Sequence, residues 1–155
     1  MEEEHQSSEI LVAEIEISYM PKIKPSQRPK IKNADDAYRL LIQTWDESKI
    51  ELVEQFRVIL LNRNNSVLGI CTLTSGTSTH TLADPKQVFG LALKANAVCI
   101  MISHNHPGGS LKPSKNDEEM TRKMIVAGQI LDLKVIDHII VSVEGYYSFA
   151  EEGVF

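Results

Sequence analysis

Six consecutive core-type residues, Ala97-Val98-Cys99-Ile100-Met101-Ile102, run straight into Ser103-His104-Asn105-His106-Pro107-Gly108-Gly109. An unbroken apolar run of that length, bounded by Asn96 and Ser103, reads as a buried strand. The chain therefore leaves the middle of a sheet and at once presents two imidazoles. Side chains two apart on an extended backbone point the same way, so His104 and His106 can converge on one point. The Pro-Gly-Gly turn lets the chain reverse, and Ser114-Lys115-Asn116-Asp117 then opens a helix.

The rest of the chain can be laid around that strand. Residues 1–8 are polar and acidic and are expected to be disordered. Residues 9–50 are expected to give an N-terminal strand, a Pro-rich linker and a helix that packs on the core. Leu11, Ala13, Ile15 and Ile17 alternate with Glu14 and Glu16, which predicts a half-exposed strand over 9–19. Pro21, Pro25 and Pro29 then forbid regular structure. The basic residues around them, Lys22, Lys24, Arg28, Lys30 and Lys32, read as a solvated arm. Asn33 followed by Asp36 marks a helix start, with Tyr38, Leu41, Ile42 and Trp45 as its packing stripe.

The larger unit covers residues 51–155. Strands over 54–61 and 67–74 flank the turn-rich Asn62-Arg63-Asn64-Asn65 and read as a hairpin. Glu54 falls on one face with Phe56, Val58 and Leu60; pattern alone makes it the wet start of the strand. His80 sits in a polar loop and reads as a surface residue. Asp84-Pro85 starts a helix whose buried face is Val88, Leu91, Ala92 and Ala95. The helix from Ser114 to about Ile130 turns Met120, Met124, Ala127 and Leu131 inward. One step back from Met120 lies Asp117, so this carboxylate also projects from the inward face rather than only complementing the helix dipole. A strand over 133–143 follows, and the tail with Tyr146, Tyr147 and Phe149 packs back on the domain. The order strand, helix, hairpin, helix, strand, helix, strand predicts a mixed α/β layer structure.

Bulk properties exclude several classes. A chain of 155 residues with 43% hydrophobic content suits one domain with a substantial core. A net charge of −5 opposes a general electrostatic grip on nucleic acid. No apolar run approaches the roughly 18–20 residues that cross a bilayer, so no membrane partner is expected. The start, Met1-Glu2-Glu3-Glu4, is acidic where a secretory signal is basic and then apolar, so a cytoplasmic location is expected. Cys71 and Cys99 lie in apolar runs and read as small buried hydrophobes in a reducing compartment.

His104, His106 and Asp117 make a set of the kind that holds catalytic zinc: three ligands from histidine and carboxylate, with a fourth position for water. Alone, His-x-His is commonplace, and Ser-x-x-Asp is equally a helix-capping box. Their combination, with seven residues between the second histidine and the serine, is far more specific.

On these residues the sequence resembles the JAMM (MPN+) metalloprotease motif: an upstream glutamate, His-x-His-Pro, then Ser-x-x-Asp. Within that superfamily it resembles the RadC-like branch. The strand over 56–61, Asn105-His106-Pro107-Gly108-Gly109, Pro113-Ser114 and the strand over 133–141 with Asp137-His138 carry the likeness. It covers residues 51–153, about two-thirds of the chain.

The resemblance implies a three-layer α-β-α sandwich with a mixed sheet, like that of cytidine deaminases, and a JAMM/RadC-like catalytic domain over 51–155. It implies one zinc ion per chain held by His104, His106 and Asp117. Glu54 would be the base that activates water, overturning its pattern-only reading, and Ser114 would stabilise the oxyanion. The expected activity is zinc-dependent cleavage of an amide bond in a protein or peptide substrate. Gly108 stands where the RadC-like loop usually has serine, and Asp84 where many relatives have histidine; neither is a ligand position. Asp137 and His138 read as a pair packed behind the site, with His138 as a fourth ligand the lesser reading. A DNA-repair role of RadC type without peptidase activity is the alternative, and a non-catalytic interaction module is a third. A zinc deaminase is not supported, because it needs His-x-Glu and Pro-Cys-x-x-Cys, and neither occurs. A homo-oligomer is left open.

Overall fold

The computed structural model describes residues 12, 13, 16, 18–76 and 83–155. Its centre is a five-stranded sheet built from β1 (Gln55–Leu61), β2 (Val67–Ser75), β3 (Cys99–Asn105), β4 (Lys134–Ser142) and β5 (Gly145–Ser148). The spatial order is β2-β1-β3-β4-β5. β3 and β4 run parallel and every other neighbouring pair is antiparallel, so the sheet is mixed. The helices are α1 (Ala34–Thr44), the single turn α2 (Glu47–Ile50), α3 (Pro85–Lys94) and α4 (Lys115–Ile130).

Strand alternation divides the core into two layers. Ile59, Leu61, Met101, Ile139 and Val141 face Ala37, Leu41 and Trp45 at α1. Phe56, Val58, Leu60, Ile100 and Ile102 face Val88, Phe89 and Ala92 of α3 and Met124 of α4. The result is the expected three-layer α-β-α sandwich. All seven residues of β3 are buried, which fits its central position and its unbroken apolar run.

Local chemistry sets the element ends. Asn33 caps α1 by accepting from Asp36 N, and Asp36 reaches back to Lys32 N at 2.9 Å. Asp84 caps α3, with Pro85 at the first helical position. In the β1–β2 turn, the Asn62 side chain accepts from the amides of Asn64 and Ser66. Asn65 completes the turn at φ 54°, a left-handed conformation that asparagine tolerates better than most residues.

Several expectations need correction. Of the strand predicted over 9–19, residues 9–11, 14, 15 and 17 lie outside the described residues, as do residues 1–8 and His80. Val12, Ala13, Glu16, Ser18 and Tyr19 are exposed and not in a strand. Lys22, Lys24, Lys30 and Lys32 are exposed as expected, but the connector's backbone is tied to the sheet edge: Val67 N donates to Pro29 O, Ile31 N donates to Asn65 O, and Lys30 bridges Ser66. The C-terminal tail contributes a fifth strand, β5, paired with β4 through Glu144-Gly145. Leu131 is 44% exposed, whereas Thr121 and Gly128 are buried. Among the described residues, no helix is long and apolar enough to cross a membrane.

Candidate metal centre

The site lies where β3 ends. His104 and Asn105 are its last two residues, and His106 follows immediately. Phe56 pairs with His104, so the start of β1 and Glu54 just before it lie beside this end of the sheet. Asp117 comes from the first turn of α4.

His104 Nε2 and His106 Nε2 are 3.0 Å apart. Asp117 Oδ1 is 3.2 Å from His104 Nε2, and its Oδ2 is 3.5 Å from His106 Nε2. Ligand atoms about 2.0–2.2 Å from one tetrahedral ion stand about 3.3–3.6 Å from one another, close to this spacing. Among the described residues, this is the group of histidine and acidic side chains that could hold a metal ion.

The outer nitrogens are already committed. His106 Nδ1 lies 2.7 Å from Ser110 O, a carbonyl that can only accept, so Nδ1 carries the proton. His104 Nδ1 lies 2.8 Å from His138 Nε2. The two Nε2 atoms and the carboxylate oxygens therefore converge on one point, and electron-rich atoms so close are reconciled by a positive charge among them. The donor set thus fits a divalent cation of the borderline class that imidazole and carboxylate bind together.

The electrostatics agree. The Asp117 carboxylate raises the proton affinity of His106 despite its burial, with smaller contributions from Ser110 O and the charge of Glu54. Burial works against the Asp117 anion, but His104 and His106 at its oxygens outweigh it and hold the carboxyl well below the usual range. His138 is fully buried, which pushes its imidazole well below the usual histidine value and keeps it neutral.

Asp117 is aimed by a capping box. Ser114 N donates to Asp117 Oδ2 at 2.7 Å, and Asp117 N donates to Ser114 Oγ at 3.1 Å. The capping-box and metal-site readings of Ser-x-x-Asp therefore coincide in the same atoms. Ser114 is exposed at the rim, and Glu54 is 8% exposed.

His138 does not join the ligand atoms; it stands behind His104. Asp137 points to the other side, accepting from His138 N, Ala150 N and Ser148 Oγ. Two residues carry roles that the sequence left unassigned. Asn105 is fully buried and bonds the backbone around Glu54. Thr121 touches both His138 and the Asp117 carbonyl, and its spacing four residues after Asp117 on one helical face was the available signal.

A family model described as the RadC-like JAB domain matches residues 31–154. The chain is 41% identical over 102 residues to a UPF0758 protein of Symbiobacterium thermophilum, covering 66% of this chain and 44% of the relative. It is 46% identical over 100 residues to a UPF0758 protein of Thermotoga maritima, covering 64% and 45%. Against a UPF0758 protein of Flavobacterium johnsoniae it is 38% identical over 126 residues, covering 81% and 54%. The chain thus spans about half the length of the curated relatives it matches.

Proposed function

The chain belongs to the RadC-like JAB-domain family, and from that membership together with its own residues we propose that it is a zinc-dependent hydrolase cleaving an amide bond, a peptidase or isopeptidase. The observation that carries this reading is the convergence of His104 Nε2, His106 Nε2 and the Asp117 carboxylate with Glu54 at their side.

In this reading His104, His106 and Asp117 hold one zinc ion per chain. Bound zinc would act as a Lewis acid and lower the pKa of water to roughly 7. Glu54 takes the proton from the attacking water and returns it to the leaving amine, the ordinary duty of a buried general base. Ser114 uses its hydroxyl proton on the oxyanion of the tetrahedral intermediate, since its oxygen already accepts from Asp117 N. The partner is a protein or peptide. A net charge of −5 lends no support to the nucleic-acid alternative.

The test has two arms. Metal analysis of the purified protein is expected to find close to one zinc per chain, largely lost in Asp117→Ala. New peptide termini generated in a cell extract are expected with the wild type and not with Glu54→Gln, which should keep its zinc. A wild type that cannot be loaded with zinc would remove the metal, and equal cleavage by Glu54→Gln would remove the base.

A further inference from the structure

We propose that His138 and Thr121 are positioning residues that determine which nitrogen of His104 is offered to the cation, an inference that rests on the metal reading above.

One chain of hydrogen bonds links Asp117, Thr121, His138 and His104. Thr121 Oγ1 lies 2.6 Å from Asp117 O, and a carbonyl can only accept. The single hydroxyl proton is therefore spent there. At 2.6 Å from His138 Nδ1, the same oxygen can act only as an acceptor, so His138 Nδ1 carries the proton. A neutral imidazole has one N–H, which leaves His138 Nε2 as a lone pair. That lone pair faces His104 Nδ1 at 2.8 Å, so His104 must donate from Nδ1. Its remaining lone pair is then on Nε2, the atom that faces His106 and Asp117.

Packing keeps the relay from rearranging. The His138 ring stacks on Phe149 with centroids 4.7 Å apart and planes 5° from parallel, and Phe56 meets it edge-on. The Phe149 amide also donates to His138 O. Neither ring nitrogen can be exchanged by a simple flip without losing both hydrogen bonds inside a site with no exposure.

The two histidine ligands are thus set by different devices. His106 is fixed by a backbone carbonyl, which no side-chain substitution removes. His104 is fixed by two side chains, and the chain begins at the backbone of Asp117, the third ligand. The position behind a metal-binding histidine usually holds a carboxylate, a carbonyl or water. Here it holds an imidazole, which accepts only because Thr121 has spent its own proton elsewhere.

The experiment uses the full chain as wild type, Thr121→Val and Thr121→Ser. Zinc affinity is read by competition with a chromophoric chelator, and histidine tautomers by long-range 15N–1H correlation on metal-free protein. Val matches Thr in shape but gives His138 nothing to donate to, whereas Ser restores the hydroxyl. Zinc is expected to bind about 10- to 100-fold more weakly to Thr121→Val, with Thr121→Ser close to wild type. His104 is expected to report a protonated Nδ1. Wild-type zinc affinity in a folded Thr121→Val, or a protonated His104 Nε2 in the neutral wild-type ring, would overturn the proposal. If Thr121→Val fails to fold, the wild-type tautomer still decides. If the wild type takes no zinc, the metal reading fails while the tautomer still tests the relay.

Discussion

Asn105 grips the backbone on both sides of Glu54. Its amide donates to Val53 O at 2.9 Å and Ile50 O at 2.6 Å, and its carbonyl accepts from Gln55 N at 2.7 Å. The residue between His104 and His106 therefore also holds the segment that delivers Glu54, so both parts of the candidate site are tied together. Asn105→Ala leaves two carbonyls and one amide without this partner, and each buried unsatisfied group costs about 1–3 kcal/mol. A loss of about 3 kcal/mol or more is expected in urea unfolding, with faster amide exchange across residues 50–55. Wild-type exchange there would show that the clamp does not hold the segment.

Ser114→Ala separates the two duties of the capping box. Alanine removes the acceptor for Asp117 N and should cost about 1 kcal/mol of stability. It keeps the backbone N–H that holds Asp117 Oδ2 at 2.7 Å, so zinc should be retained. Turnover should fall if the hydroxyl serves the oxyanion. Loss of zinc from a folded variant would assign the hydroxyl to metal binding instead.

Two helical glycines should respond in opposite directions. In an exposed helix interior, Gly→Ala gains about 0.5–1 kcal/mol. Gly90 on α3 is exposed with nothing within 4 Å of an added methyl, so Gly90→Ala should stabilise by that amount. A methyl on Gly128 would sit 2.4 Å from Leu133 O and 3.2 Å from Val135 Cγ2. The first is backbone, tied to Gly128 by the Leu133 N–H to Gly128 O hydrogen bond, and cannot yield cheaply. Gly128→Ala should destabilise by about 1–3 kcal/mol, the usual range for overpacking. Thermal unfolding of the two variants reads the signs directly.

Asp137 supplies a pH signature of its own. Burial raises its carboxyl above the usual value, more than the hydrogen bonds from Ser148, Ala150 and His138 lower it. Its raised folded value means that the folded state holds the proton more tightly than the unfolded chain. That contribution is fully present below the ordinary aspartate value of about 3.9 and is lost as pH rises through the higher folded value. Asp137→Asn can keep both backbone donors and lacks this titration. The stability of the variant relative to wild type should therefore increase from acidic to neutral pH, as measured by urea unfolding across that range. A difference independent of pH would contradict the raised value.

Much of the site was legible because its signals are local. Two residues along an extended strand, or three along a helix, fix a face without reference to the rest of the chain. Hence His104 and His106 fall together, and Asp117 falls inward with Ser114 as its cap. The hairpin, the capped helices and the central buried strand are also set by short-range chemistry. Of the stretch predicted as a strand over 9–19, none of the described residues lies in one, because alternation makes a strand only where another strand pairs with it. β5 escaped notice for the converse reason: four residues after a Glu-Gly turn have too little pattern of their own, and it is β4 that makes them a strand.

What the sequence by itself determined is therefore the identity, spacing and facing of the residues around the imidazole pair, together with the layered class of the fold. What only the tertiary structure decided is where His138 points. Ile100 pairs with Val135, yet Met101 pairs with Asp137, so Ile136 is an extra residue and the register slips by one. Because side chains alternate along a strand, a one-residue slip exchanges the two faces for everything beyond it. Ile102 is thereby matched with His138, which turns to His104, while Asp137 turns away to Ser148 and Ala150. Nothing in Lys134-Val135-Ile136-Asp137-His138 announces that slip. It is imposed by the pairing with β3, a partner about 35 residues away in the chain and adjacent only in the folded sheet.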